Sequence, residues 1–283
     1  MRSFAPKKGD NRMIKKFVKQ ALQEDVGRGD LFYLVGSNEK ATAKIISKDK
    51  GILAGVVYAK SLCKVENIDI KFHIKDGQSI KYGDVIATLK GKSKRLLMCE
   101  RTILNMLQHA SGIATNTNLY VSLVKDSPIK LLDTRKTRPH LRIFEKYAVR
   151  CGGGNNHRMG LDDCLMLKDT HIKTIENLEE FLKSARFKLP YTSKIEIECE
   201  DVEFAKHAMS CGADMIMCDN MNIEDIKEVV AFRNNNFSYV LIEASGNVVK
   251  ENIREYADTG VDAISSGSLI HHAIWLDLSM KIV

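Results

Sequence analysis

A chain of 283 residues, 44% hydrophobic and 28% charged, has the balance of an ordinary globular protein and room for one barrel-sized domain or two smaller ones. Its longest apolar runs, such as Leu96-Leu97-Met98 and Val229-Val230-Ala231-Phe232, fall far short of the roughly 20 residues that span a bilayer, and the basic start MRSFAPKKGDNRMIKK lacks the apolar core of a secretory signal, so the expected location is cytoplasmic. The formal charge of +7 is spread along the chain; it excludes no partner class, but it suits a small anionic substrate if the cations converge.

Ile14, Phe17, Val18, Ala21 and Leu22, at spacings of three and four, predict a helix over 13–25. From 41 to 91 the pattern shifts to short strands, ATAKIIS, GILAGVVYA, IKFHI and DVIATLKG, with Asp76-Gly77 and Tyr82-Gly83-Asp84 as turns. ERTILNMLQHASG at 100–112 predicts another helix, with Ile103, Leu104, Met106, Leu107 and Ala110 on one face and Ser111-Gly112 as its stop. Extended segments IKLLDT, IEIECE, DMIMCD, YVLIEAS and DAISSG then alternate with helix-like stretches at 116–126, 175–186, 201–211, 222–232 and 249–258. That rhythm implies a parallel sheet with helices outside it. Polar residues close the strands: Asp133, Glu198 or Glu200, Asp219, Ser245 and Ser266. An α/β barrel builds its active site at strand ends and the loops that follow, so these residues point to one mouth. The seven cysteines include no C-x-x-C pair and read as reduced thiols, Cys199 and Cys218 as packing residues.

The segment 133–171 gathers Arg135, Lys136, Arg138, Arg142, Arg150, His157, Arg158 and Lys168 around Gly152-Gly153-Gly154. A solvated basic loop would account for such a cluster, but Arg135 and Lys136 follow directly on an apolar strand and would face the mouth. Guanidinium forks and ammonium groups there suit a polyanion. The glycines match neither G-x-G-x-x-G nor a P-loop, and read equally well as a phosphate cradle or a hinge. Alternation in IEIECE puts Glu196, Glu198 and Glu200 on one side. Glu198 and Asp219, at the ends of successive strands, could hold magnesium ion, stabilise a carbocation or simply form salt bridges. EASGN at 243–247 and SSGSLIHH at 265–272 follow the last two strands, where barrels often cradle a phosphate.

The strings ERTILNMLQHASGIAT, DTRKTRP, GGGNNHRMGL, IEIECE, Asp219-Asn220, EASGN and GVDAISSGSL stand in the order and approximate spacing found in quinolinate phosphoribosyltransferases, which the chain resembles from about residue 24 to 272. The resemblance implies an α/β fold, an N-terminal α/β sandwich (1–112) followed by an incomplete, open α/β barrel (113–271), with the tail 272–283 returning to the sandwich. It implies quinolinate contacts at Arg101, Arg135, Lys136, His157, Arg158 and Lys168. Catalytic roles would fall on Lys136, Glu198 and Asp219. Phosphoribosyl pyrophosphate would meet Thr134, Lys168, Glu198, Asp219, Ser245, Gly246, Asn247, Ser266, Gly267 and His271, with Mg2+ near Glu198 and Asp219, directly or through water. It further implies a homodimer in which Arg101 serves the neighbouring site, which three copies could extend to a hexamer, and no nucleic-acid or membrane partner. Asn247, where the family usually has a glycine, and Ile270, where it usually has threonine, depart from the pattern. The rival readings are a transferase for another anionic ring, a lipoyl or biotinyl carrier suggested by the turn-rich stretch 75–91, which has no acceptor-lysine motif, and a basic nucleic-acid binder.

Overall fold

The computed structural model describes residues 10–283; the stretch 1–9, and with it most of the N-terminal segment tested above for a signal, lies outside the described residues. The chain divides into two compact units. One contains the residues up to Asn118, Tyr147–Gly153 and His272–Val283; the other contains Leu119–Lys146 and Gly154–His271.

The first unit opens with helix α1 (Asp10–Val26) and a short turn of helix α2 (Phe32–Val35). Strands β1 (Lys40–Ser47) and β2 (Gly51–Ile52), helix α3 (Val56–Val65), strands β3 (Asp69–Phe72), β4 (Ser79–Ile80) and β5 (Val85–Lys92), and most of the long helix α4 (Ser93–Leu123) follow. Strand β5 pairs antiparallel with both β1 and β3. Val18 of α1, Ala43 and Ile45 of β1, Leu62 of α3 and Leu89 of β5 are completely buried. The Phe17 ring of α1 meets Tyr58 of α3 edge-on at 5.5 Å.

Two expectations fail in this unit. GILAGVVYA is not one strand: only Gly51–Ile52 pairs, and Val56 opens α3. Its β-branched residues favour a strand, but Gly55 takes φ 101°, a left-handed conformation that glycine enters without a Cβ penalty. Asp76 then accepts the Val56 amide at 3.0 Å, satisfying a helix donor from 20 residues away. The stretch 75–91 is thereby built into the unit rather than presented as a carrier turn. Nor does Ser111-Gly112 stop a helix: α4 runs through it to Leu123, absorbing the stretch expected to begin a new helix at 116. Ser111 receives the Ala54 amide at 3.0 Å, and a Cβ on Gly112 would stand 2.2 Å from the Ile274 carbonyl oxygen. Both small residues let chains approach closely; neither ends the helix.

The second unit comprises β6 (Lys130–Leu132), the first half of α5 (Arg142–Cys151), β7 (Leu165–Leu167), α6 (Asp169–Ile172), α7 (Leu178–Lys188), β8 (Ile195–Cys199), α8 (Val202–Ser210), β9 (Met215–Asp219), α9 (Ile223–Asn236), β10 (Leu241–Ser245), α10 (Ile253–Ala257), β11 (Ala263–Ser265) and α11 (Ser268–His271). Its six strands form a parallel sheet ordered β6-β11-β10-β9-β8-β7, unjoined between β6 and β7. This is the incomplete barrel expected. Helix starts are set by sequence: Asn177, Asp201 and Asn222 accept the amides of Glu180, Phe204 and Asp225 at 3.1, 2.7 and 2.9 Å, each a side-chain N-cap. Buried Arg233 ties α9 down, donating to the Val240 carbonyl at 2.9 Å and to Asp262 at 2.8 Å. Strand β12 (Leu278–Ile282) returns to the first unit and pairs antiparallel with β1. No described helix is long and apolar enough to cross a membrane.

Candidate active site

Side chains alternate along the parallel strands, so every second residue points into the barrel. On β8 these are Glu196 and Glu198; on β9 Met215, Met217 and Asp219; on β10 Leu241, Glu243 and Ser245. Glu198, Met217, Asp219 and Ser245 line a cavity of about 690 Å3 at the strand C-termini. Glu196, Met215, Leu241 and Glu243 line a second cavity, about 900 Å3, at the strand N-termini. The larger is not the better candidate, because barrel chemistry belongs where loops carrying varied side chains meet.

The smaller cavity receives its cations from three segments: Arg135 and Lys136 after β6, His157 and Arg158 before β7, and Lys168 after it. Arg158 is held by the Cys164 carbonyl at 3.1 Å. Burial, together with Arg158 and Arg142, lowers the Arg135 pKa. Like charges thus crowd Arg135 from two sides, an arrangement that a bound anion would relieve.

Two acids line the same cavity. Glu198, its side chain 10% exposed, is ion-paired with Lys168. Asp219 accepts from the Asn220 side chain at 2.8 Å. The neighbouring loop is tied by Asn247, which donates to the Asn220 side chain at 2.9 Å. Asn220 and Asn247 have φ of 56° and 49°. Asparagine is among the few residues that tolerate this left-handed region, so Asn247 reproduces the backbone a glycine would give. Gly246, φ 87°, has no such latitude: a Cβ would stand 2.2 Å from the Asn220 side-chain oxygen.

Thr134, Gly246 and Asn247 also line this cavity. Ser266, Gly267 and His271 lie off its lining: the Ser266 hydroxyl donates to the Val248 carbonyl at 2.9 Å, and a Cβ on Gly267 would meet His271 at 2.9 Å and Lys136 at 3.1 Å. Ile270 is buried. Arg101 is exposed on α4 of the first unit. Glu200 falls beyond the end of β8 and is exposed, so the expected row of three inward acids is two. The glycine run lines neither cavity: Gly153 (φ 95°) turns the chain out of α5, and a Cβ on Gly152 would stand 2.4 Å from the Ala114 carbonyl oxygen.

Beneath the mouth lies a set of buried charges, of which the sequence singled out Asp133, His157 and Glu196 but not Lys146 or Glu243. Lys146, on α5, is buried and ion-paired with Asp133, also buried; it donates to the His157 carbonyl at 3.0 Å. Asp133 accepts in addition from Asn156 at 2.5 Å and the His157 amide at 2.9 Å. His157 is thus fixed through its backbone, and its Nε2 sits 3.3 Å from both Glu196 and Glu243. Burial raises the Glu196 pKa, opposed by His157. Desolvation pulls the His157 imidazolium down, but its two carboxylate partners outweigh that and raise its pKa to about 10. Lys146 and Glu243 left a faint signal in sequence, an acid or base on an otherwise apolar face.

Two family models, the quinolinate phosphoribosyl transferase N-terminal domain over 30–111 and C-terminal domain over 113–281, match the chain. A Bacillus subtilis protein named "Probable nicotinate-nucleotide pyrophosphorylase [carboxylating]" is 40% identical over 272 residues, covering 95% of this chain and 93% of that protein. The NadC structure from Streptococcus pyogenes superposes with a TM-score of 0.90 at 38% identity, covering 96% of this chain and 97% of that one. The nicotinate-nucleotide pyrophosphorylase from Francisella tularensis gives 0.88 at 36% identity, with 96% and 97% covered. With both domain models matched in order along one chain and the open parallel barrel reproduced, the chain belongs to the quinolinate phosphoribosyltransferase family.

Proposed function

We propose that the mouth joins quinolinate to phosphoribosyl pyrophosphate, releasing pyrophosphate and carbon dioxide and forming nicotinic acid mononucleotide. The carrying observation is the convergence of Arg135, Lys136, Arg158 and Lys168 on one cavity that Glu198 and Asp219 also line. A diacid needs several cations, and holding both carboxylates fixes the ring nitrogen for attack on C1 of the ribose, turning an encounter into a positioned reaction. As pyrophosphate leaves, positive charge develops on the sugar; Glu198 and Asp219 lie where they would stabilise it, and Lys136 where it would steady the phosphates. Lys168 would exchange its Glu198 partner for a substrate carboxylate. Once alkylated, the ring nitrogen is cationic and accepts the electrons released as the 2-carboxylate departs.

The all-oxygen donor pair of Glu198 and Asp219 fits magnesium ion, which takes one or two carboxylates and fills its shell with waters and phosphate oxygens. Bound there it would supply charge neutralisation for the leaving pyrophosphate. Arg101, exposed in the first unit, would complete the quinolinate contacts in a partner's site within a homodimer. Release of carbon dioxide and pyrophosphate from quinolinate and phosphoribosyl pyrophosphate, with nicotinate run alongside, tests the proposal. Equal turnover of the two acids would move the function to a transferase for another anionic ring.

A further inference from the structure

Arg135 and Lys136 reach the mouth from the segment after β6, and Arg158 from the segment before β7. Between these segments in the chain runs α5, whose first half carries Arg142, Glu145 and Lys146, all in the second unit. Spacings of three and four place these side chains on one face of the helix, and each holds a neighbouring segment. Glu145, its side chain fully buried, accepts the Arg138 amide at 2.9 Å and the Arg138 guanidinium at 2.6 Å. Lys146 is paired with Asp133 on one side and donates to the His157 carbonyl at 3.0 Å on the other. Arg142 also spans both segments: its Nε donates to Thr137 Oγ1 at 3.2 Å, and its Nη1 to the Met159 carbonyl at 3.0 Å. Thr137 follows Lys136 directly, and Met159 follows Arg158 directly. The Thr137 amide in turn donates to the Arg135 carbonyl at 2.8 Å. Arg142 thus grips the two segments next to their cations, yet it lines neither cavity.

Two roles fit a cation in this place. One is its charge, which reaches Arg135 and joins burial and Arg158 in lowering that residue's pKa; a role through the field alone would need nothing more. The geometry adds a second. Its two hydrogen bonds leave from different nitrogens of one rigid plane, so the guanidinium sets a distance between the segments as well as a charge. A ring with carboxylates on adjacent carbons presents two anions at a fixed separation. Both are held only where the cations stand at the matching separation, whereas a ring with one carboxylate makes no such demand. We propose that Arg142 is a spacer that fixes the gap between the Arg135-Lys136 pair and Arg158, and that it thereby selects a ring bearing two adjacent carboxylates over a ring bearing one. Arg142 is a positioning residue, acting through the cations it spaces. The inference rests on the diacid reading of the mouth given above.

The test is equilibrium titration of the full-length protein with two probes: benzene-1,2-dicarboxylate, which has the paired carboxylates without the reactive nitrogen, and benzoate, which has one. Arg142→Lys keeps the charge but offers its hydrogens from a single atom, so it cannot bridge Thr137 and Met159 as the planar fork does. Thr137→Val keeps the shape and the Arg142 charge but removes one anchor. Thermal unfolding verifies that each variant is folded. Deleting a buried charged contact costs roughly 30-fold or more; a contact displaced rather than deleted, with Glu145 and Lys146 still in place, should cost about 10-fold. Each variant is therefore expected to bind the dicarboxylate about 10-fold more weakly and benzoate within about threefold of the wild type. The double variant should be little worse than Arg142→Lys alone, because both changes break the same tether. Three results would overturn the inference: wild-type affinity for the dicarboxylate in Arg142→Lys, which would leave Arg142 a charge only; equal weakening of both probes, the mark of a site loosened as a whole; or losses that multiply in the double variant, the mark of independent effects. A wild-type protein that binds the dicarboxylate no more tightly than benzoate would instead refute the diacid reading itself.

Discussion

Replacing Lys146 by methionine keeps the length of the side chain but removes its charge from a site where lysine and aspartate are almost fully enclosed, at 1% and 0% side-chain exposure. Removing one partner of a buried ion pair costs about 3–5 kcal/mol, because the other charge is left uncompensated. Asp133 would not be bare: Asn156 at 2.5 Å and the His157 amide at 2.9 Å remain. The lower end, about 3 kcal/mol, is therefore expected, or roughly 6–12 °C in Tm at 2–4 °C per kcal/mol for units of this size. The deficit should also depend on pH. Burial already raises the Asp133 carboxyl above its ordinary 3.8, and Lys146 is the chief opposing influence; without it only the hydrogen bonds from Asn156 and His157 oppose that rise. An acid whose folded pKa exceeds its unfolded value costs stability while ionised and ceases to do so once protonated. The gap between Lys146→Met and wild type should thus narrow as the pH falls from neutral toward 3.8. Urea unfolding at several pH values measures it, and Asp133→Asn in the same background should recover part of the loss. A deficit below about 1 kcal/mol, or one independent of pH, would refute the argument that this pair is a desolvated charge pair.

Other expectations are as direct. Quinolinate should be preferred over nicotinate by more than roughly 30-fold in kcat/KM, since an unpaired buried charge costs about 2–5 kcal/mol; competitive assays with both acids decide it. Lys136→Ala, at an exposed position, should remove most activity while changing stability by less than about 1 kcal/mol; normal kcat/KM would show that the lysine plays no part in the reaction. Gly246→Ala should raise KM for phosphoribosyl pyrophosphate and lower stability by about 1–3 kcal/mol, because a side chain at φ 87° meets Asn220 at 2.2 Å; an unaltered Tm would contradict the steric reading. Mixing Arg101→Ala with Glu198→Ala subunits should restore about a quarter of wild-type activity if Arg101 serves a partner's site, since about half the dimers are then mixed and each has one intact site. Confirmed subunit exchange with no recovered activity would place Arg101 in its own chain's chemistry.

The parallel strands and their polar ends could be read from sequence because apolar runs, period-two alternation of residue type and N-caps are local. Ile195, Ile197 and Cys199 alternate with Glu196 and Glu198, and Asp201 and Asn222 precede their helices directly. What could not be read depends on partners distant in sequence. GILAGVVYA becomes a helix start through Asp76, and Ser111-Gly112 is spent on Ala54 and Ile274. In the site, Glu198 and Asp219 were visible as strand ends, but the burial of Glu196 and Glu243 was not. Nothing in IEIECE says which of its acids sits beneath the mouth and which lies in solvent. The role of Lys146 could not be read either, because its partner, Asp133, lies on another element.

The unjoined seam of the barrel has a consequence for how the molecule avoids its own kind. A closed barrel has no sheet edges, whereas an open one presents two, each a template for pairing with another chain. Here β6 does not go uncovered. The Asn155 amide donates to the Leu131 carbonyl at 2.8 Å, and the Asn155 carbonyl accepts from Asp133 at 3.2 Å, so the segment carrying His157 and Arg158 also occupies the first edge. The other edge, β7, is only three residues long, too short to recruit a stable stranger. The peptide that brings substrate-binding groups to the mouth therefore doubles as a guard against aggregation. Its sequence answers to solubility as well as to chemistry.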